Sequence, residues 1–78
     1  MPMTDSELKH LIKMANQISD NLSRSDDAET TATRVADHMI RFWAPSMKAK
    51  IIEYLNAGGK GLKEPTRLAV QQISAASN

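Results

Sequence analysis

Arg41-Phe42-Trp43-Ala44-Pro45-Ser46-Met47 is the stretch that decides how this chain folds. It holds the only Phe and the only Trp among 78 residues and sets both beside a proline. Pro45 disfavours helical backbone at Ala44, yet it is well suited to the first turn of a new helix. One helix therefore stops near Trp43 and the next starts near Pro45. A second block, Ala57-Gly58-Gly59-Lys60-Gly61-Leu62, gathers all three glycines. Gly58-Gly59 is the expected left-handed stop of a helix, and the residues after it form a turn. Two tight junctions between helices are thus written into the C-terminal half.

Reading outward, the segment before the proline is helical over about 27–43. Its apolar stripe carries Val35, Met39 and Phe42, flanked by Ala32, Ala36, Ile40 and Trp43. That arc is about 180° wide, against the ~100° stripe of an ordinary surface helix, so more than one neighbour must cover it. The segment after the proline is helical over 46–57, with Met47, Ile51, Ile52, Tyr54 and Leu55 on its apolar face. Lys48 falls inside that arc and must snorkel to water or meet an acidic group. Beyond the glycines, Pro65 opens a weak helix over 65–74 with Leu68, Ala69, Val70 and Ile73, and the tail 75–78 frays. At the other end, Thr4-Asp5-Ser6-Glu7 fits a capping box. Leu8, Leu11, Ile12, Ala15, Ile18 and Leu22 then share one stripe of a helix over 5–23. Ser23–Asp27 is a polar joint, with Asp26 as the expected N-cap and Glu29 three residues on. No period-two pattern and no internal repeat appears. The expectation is an all-α fold: residues 1–78 form a single helical domain, a small bundle of three to four short helices.

This length is close to the lower limit for a self-sufficient core, so a partner surface would help the chain to fold. There is no Cys. A disulfide framework, a thiolate zinc site and a cysteine-ligated iron–sulfur cluster are therefore excluded. No apolar run approaches the ~20 residues needed to span a bilayer, and the first residues lack the basic and apolar regions of a signal peptide. The expected compartment is the cytoplasm. Net charge is +1, but residues 1–40 carry four basic and seven acidic groups, −3, while residues 41–78 carry six basic and two acidic, +4. Such polarity either steers a partner onto the C-terminal half or is an ordinary mixed surface.

No set of residues stands at catalytic spacing. His10 and His38 are the only histidines, and no HExxH pattern surrounds either. Asp26, Asp27 and Glu29 cluster where carboxylates complement a helix dipole. No serine sits in a nucleophile elbow. Gly58-Gly59-Lys60-Gly61 lacks phosphate-loop spacing and follows a helix, whose end presents carbonyls rather than amides to an anion. Arg41, Lys48, Lys50, Lys60, Lys63 and Arg67 could contact nucleic acid, but Glu53 on the would-be recognition face repels phosphate. Trp43 has two compatible readings, a core aromatic and an interface anchor offering a rigid face and one N–H donor.

Several stretches resemble the delta subunit of NAD-dependent formate dehydrogenases, soluble molybdenum- or tungsten-containing bacterial enzymes. They are Leu11-Ile12-Lys13-Met14-Ala15-Asn16-Gln17-Ile18, Val35-Ala36-Asp37-His38, Arg41 to Met47, Leu55, Ala57-Gly58-Gly59, Gly61-Leu62 and Ala69-Val70. The resemblance covers residues 8 to 70, and its specificity lies in the combination. It implies a small non-catalytic accessory subunit with no cofactor of its own. Molybdopterin, iron–sulfur clusters and FMN are then expected in the larger partner subunits. It also implies that the partners are other formate dehydrogenase subunits, first among them the large molybdenum-bearing one; no membrane is expected, and nucleic acid is not the expected partner. The rare residues mark the expected docking surface: Arg41, Phe42, Trp43, Pro45, Met47, Lys48, Gly58, Gly59, Gly61 and Leu62. Two rivals stand beside this reading, a transient assembly or cofactor-insertion factor and a small helical nucleic-acid-binding protein.

Overall fold

In a computed structural model of the chain, residues 3–23 and 27–76 are described, the first three of them for their backbone only. Four helices follow in order: α1 (Met3–Leu22), α2 (Ala28–Phe42), α3 (Pro45–Asn56) and α4 (Glu64–Ala76). Among the described residues there is no strand, and the fold is all-α.

The Pro45 junction forms as its chemistry requires. Trp43 leaves α2 in extended conformation (φ −88°, ψ 139°) while its N–H still donates to the Met39 carbonyl at 2.9 Å. The extended backbone swings the indole off the helical spiral and into the core, where it is 5 % exposed. Ala44 is likewise extended, and Pro45 opens α3. Lys48 resolves its awkward position on the apolar arc with a carbonyl rather than a carboxylate: Nζ donates to the Ile40 carbonyl at 3.4 Å. A cation there complements the open C-terminal end of α2.

The glycine junction is a Schellman stop. Gly59 N–H donates to the Tyr54 carbonyl and Gly58 N–H to that of Leu55, both at 3.0 Å, which satisfies the last carbonyls of α3. Gly59 sits at φ +63°, which favours glycine, and a Cβ there would lie 2.9 Å from Leu55 Cδ1, the end of a side chain that would have to shift. Arg67 at the start of α4 donates to the carbonyls of Gly58 (3.3 Å) and Gly59 (3.1 Å), tying α4 to the turn. Leu62 points inward and is buried.

The core lies chiefly between α2 and α4. Thr31, Ala32, Val35, Ala36 and Met39 of α2 face Thr66, Ala69, Val70 and Ile73 of α4 in the same buried layer. α1 adds Leu11, Ala15 and Ser19, and α3 adds Ile51. The alanines on both principal helices let their backbones come close. The wide arc of α2 is covered only in part: Phe42 remains 71 % and Ile40 50 % exposed.

Two local expectations shift. The N-cap of α2 is Asp27, whose Oδ1 accepts from the Thr30 amide at 2.9 Å. Adjacent aspartates offer equivalent caps, and the second is used; Asp26 lies outside the described residues, as does the Thr4 side chain of the expected capping box. α4 runs on through Ala75 and Ala76, which the sequence reading assigned to a frayed tail. Alanine is the best helix former and needs no burial to continue a hydrogen-bonded spiral.

Candidate functional site

The residues singled out in the sequence divide into three places. Phe42, Trp43 and Met47 come together along a cleft of about 350 Å³, whose opposite wall is Met14, Gln17, Ile18 and Asn21 of α1, with His38 beside them. Pro45 and Lys48 lie on the outer side of α3, in a broader concavity of about 600 Å³ with Ala49, Ile52, Glu53 and Asn56. Every residue lining that larger concavity belongs to α3. It is thus the flank of one helix, whereas the smaller, shallow cleft lies between elements. Gly58, Gly59, Gly61 and Leu62 occupy a third place, at the turn, and Arg41 points outward to Asp37 at 3.2 Å.

The groove is built by two features of local sequence. On α1, Met14, Gln17, Ile18 and Asn21 stand at i, i+3, i+4 and i+7, one ridge along the helix. On the other side the α2–α3 corner presents Phe42, Trp43 and Met47 within six residues of chain. Phe42 forms the lip, its ring stacked at a tilt on the half-buried His38, one helical turn earlier, with centroids 4.9 Å apart. Trp43 contributes only an edge, because most of its indole is packed inside. No Asp, Glu, Lys or Arg lines this groove. It is an uncharged trough of sulfur and aromatic surface with an amide rim. Methionines suit such a place because they adapt to an irregular partner.

The glycine turn meets α1 on its other flank. At 100° per residue, Asn16 and Asp20 lie on roughly the opposite side of the helix from the groove-lining ridge. Asn16 Nδ2 donates to the Gly61 carbonyl at 2.9 Å, and Oδ1 accepts from the Lys63 amide at 3.0 Å. Lys63 Nζ reaches Asp20 at 2.7 Å, and Lys50 Nζ reaches Glu7 at 2.7 Å near the other end of α1. The Tyr54 hydroxyl donates to the Lys60 carbonyl, bracing the turn from α3. The Asp27 carboxyl is held below its ordinary value by the Thr30 side chain and then by the Thr30 amide.

Sequence reasoning did not find Asn16 as a clamp, nor the α1 wall of the groove. A signal for the wall was present in the i, i+3, i+4, i+7 ridge of Met14 to Asn21. None existed for the clamp, since its partners are 45 and 47 residues away. Among the described residues no three His, Cys, Asp or Glu side chains converge to hold a metal, and the chain has no thiolate for an iron–sulfur cluster. Nor is any described helix long and apolar enough to cross a membrane.

The described residues define a small all-α bundle with an apolar cleft between α1 and the α2–α3 corner. The chain belongs to the NADH-dependant formate dehydrogenase delta subunit FdsD family, whose sequence profile matches residues 10–70. A delta subunit is one chain of a multi-subunit enzyme, so the partners of this one are other formate dehydrogenase subunits. No curated relative and no solved structure matches the chain. The matched span takes in both walls of the groove and both halves of the Asn16 clamp.

Proposed function

We propose that this chain is a non-catalytic accessory subunit of NAD-dependent formate dehydrogenase, and that it docks through the groove between α1 and the α2–α3 corner. Phe42 at the lip is the anchor, Met14, Ile18, Met47 and the edge of Trp43 form the floor, and Gln17 and Asn21 supply polar contacts at the rim. The large molybdenum-bearing subunit is the partner in this reading. Molybdopterin, iron–sulfur clusters and FMN belong to the partner subunits, and the assembly is cytoplasmic. The observation that carries the reading is a large aromatic, 71 % exposed, standing over an uncharged groove. Exposed aromatics beside an apolar pocket are typical of interface hot spots.

The nucleic-acid reading is weakened by where the cations go. Arg41, Lys48, Lys50, Lys63 and Arg67 are each engaged with a carboxylate or a backbone carbonyl of the chain itself. Lys60 alone of the six has no such partner among the described residues.

Co-purification tests the docking. A tagged chain expressed in its own host is expected to bring down the other subunits in stoichiometric amounts. Phe42→Ser is expected to keep the helical circular-dichroism signal and lose the partners. Undiminished recovery of the enzyme with the folded Phe42→Ser chain would overturn the groove as the docking site. The isolated chain is expected to show no formate oxidation.

A further inference from the structure

The uneven charge of the sequence has a destination inside the molecule. α1 carries the carboxylates Glu7 and Asp20, and each meets a lysine of the C-terminal half, Lys50 and Lys63, at 2.7 Å. The two pairs sit toward opposite ends of α1, with the Asn16 clamp between them. All three contacts are exposed to solvent. Beneath them the apolar seam is only partly closed. Across 20 residues α1 fully buries Leu11, Ala15 and Ser19 among its described side chains, while Ile12, Met14, Ile18 and Leu22 pack against the core half-buried. α2 buries five in 15 residues and α4 four in 13. α3 buries only Ile51, but it is secured at both ends, by Lys48 on the Ile40 carbonyl and by Arg67 on Gly58 and Gly59.

We propose that α1 is an ionically latched helix: it releases from the α2–α3–α4 core as one unit, and ionic strength sets how often. Cooperative opening of a peripheral element below the global unfolding free energy is the expected behaviour of a segment with few fully buried side chains for its length. The latch is made of exposed ion pairs, which salt screens, while the α2–α4 core is apolar and is not weakened in the same way. Release has a structural consequence, because Met14, Gln17, Ile18 and Asn21 leave with α1. The groove therefore exists only in the latched state, and anything seated in it favours the latch by the same factor as the latch favours binding. The opening itself stands or falls apart from the docking reading.

Amide hydrogen exchange on the full chain, compared at about 0.05 M and about 1 M NaCl, reads the latch directly. Amides of residues 8–22 are expected to exchange faster than those of residues 31–39 and 66–73 at both salts. They are expected to speed up by about threefold to tenfold at high salt, the span that two exposed ion pairs supply, while the α2 and α4 amides hold their rates. In the double variant Glu7→Gln/Asp20→Asn, α1 at low salt is expected to match the wild type at high salt and to respond no further. Equal protection of α1, α2 and α4 would overturn the proposal, as would an α1 rate indifferent to salt. A salt response persisting undiminished in the double variant would overturn it as well. The wild-type arm decides the matter even if that variant fails to fold.

Discussion

Asn16 and Lys63 stand 47 residues apart in the chain and meet through one hydrogen bond, the Lys63 amide donating to Asn16 Oδ1 at 3.0 Å. The same side chain donates to the Gly61 carbonyl at 2.9 Å, so a single amide satisfies a donor and an acceptor of one turn. The distinctive segment of α1 and the distinctive glycine segment are thereby one joint. Asn16→Ala leaves both backbone groups to water and is expected to cost about 1–2 kcal/mol, read as a lower urea midpoint. Asn16→Asp keeps the acceptor for Lys63 but sets a carboxylate oxygen against the Gly61 carbonyl. It is expected to be no better than the alanine variant; full stability for the aspartate would show that the Gly61 contact contributes nothing.

Gly59 is the glycine of the turn where an added side chain would meet neighbouring atoms. Gly59→Ala must hold φ near +63° and push a methyl to 2.9 Å from Leu55 Cδ1 and 3.3 Å from Arg67. The backbone alone costs about 1–2 kcal/mol, and the contact adds to it. Gly59→Asn, whose residue type visits the left-handed region more readily, is expected to lose less on the backbone and still meet Leu55. Thermal midpoints of the two variants test the order. An alanine variant as stable as the wild type would remove the steric argument.

The two junctions were legible in the sequence because proline and glycine act locally: each sets φ at its own position, whatever the rest of the chain does. The helices between them were legible for the same reason, through spacing. What lay hidden was settled at a distance. Lys48 was visibly out of place on an apolar arc, but nothing in its neighbourhood announced the Ile40 carbonyl as its partner. The −3 and +4 halves were countable, yet pairing Glu7 with Lys50 and Asp20 with Lys63 needed the helices in place. Trp43 supported two readings because a residue at a helix end points according to the backbone that follows it. The extended ψ at Trp43 turned most of the ring inward and left Phe42 as the exposed aromatic.

Thr31 and Thr66 place hydroxyls in the core with no hydrogen-bond partner among the described residues. Each is essentially inaccessible, so the hydroxyl loses water and regains nothing. Thr66→Val exchanges the hydroxyl for a methyl of similar shape and is expected to stabilise the chain by about 1 kcal/mol, with Thr31→Val acting in the same direction. A fall in melting temperature for Thr66→Val would reveal that the hydroxyl is satisfied after all.

Acid acts on the α2 cap with a defined sign. The Asp27 carboxyl titrates below its ordinary 3.8 in the folded chain, because the Thr30 side chain and amide favour its charged form. Its contribution is therefore complete above the unfolded value and is lost as pH falls through the lower folded one. Asp27→Asn retains a carbonyl to cap Thr30 but carries no proton-linked charge. Between about pH 6 and about pH 3 the wild-type melting temperature is expected to fall further than that of Asp27→Asn. Parallel pH profiles for the two would rule out a proton-linked cap.

Phe42 and Trp43 are neighbours with opposite roles, and paired substitutions separate them. Trp43 is 5 % exposed and belongs to the core cluster, so Trp43→Ala opens a cavity costing about 3–5 kcal/mol. A domain this small holds not much more than that in total, so the variant is expected to lose most of its helical signal near body temperature. Phe42, at 71 % exposed, gives up only its contact with His38 when replaced by Ala, and stability should stay within about 0.5 kcal/mol. Loss of partner binding in Trp43→Ala therefore reports on folding, whereas the same loss in Phe42→Ala reports on the surface. If denaturation placed the larger cost at Phe42, the inward turn of the indole would be wrong, and with it the assignment of Phe42 as the anchor of the groove.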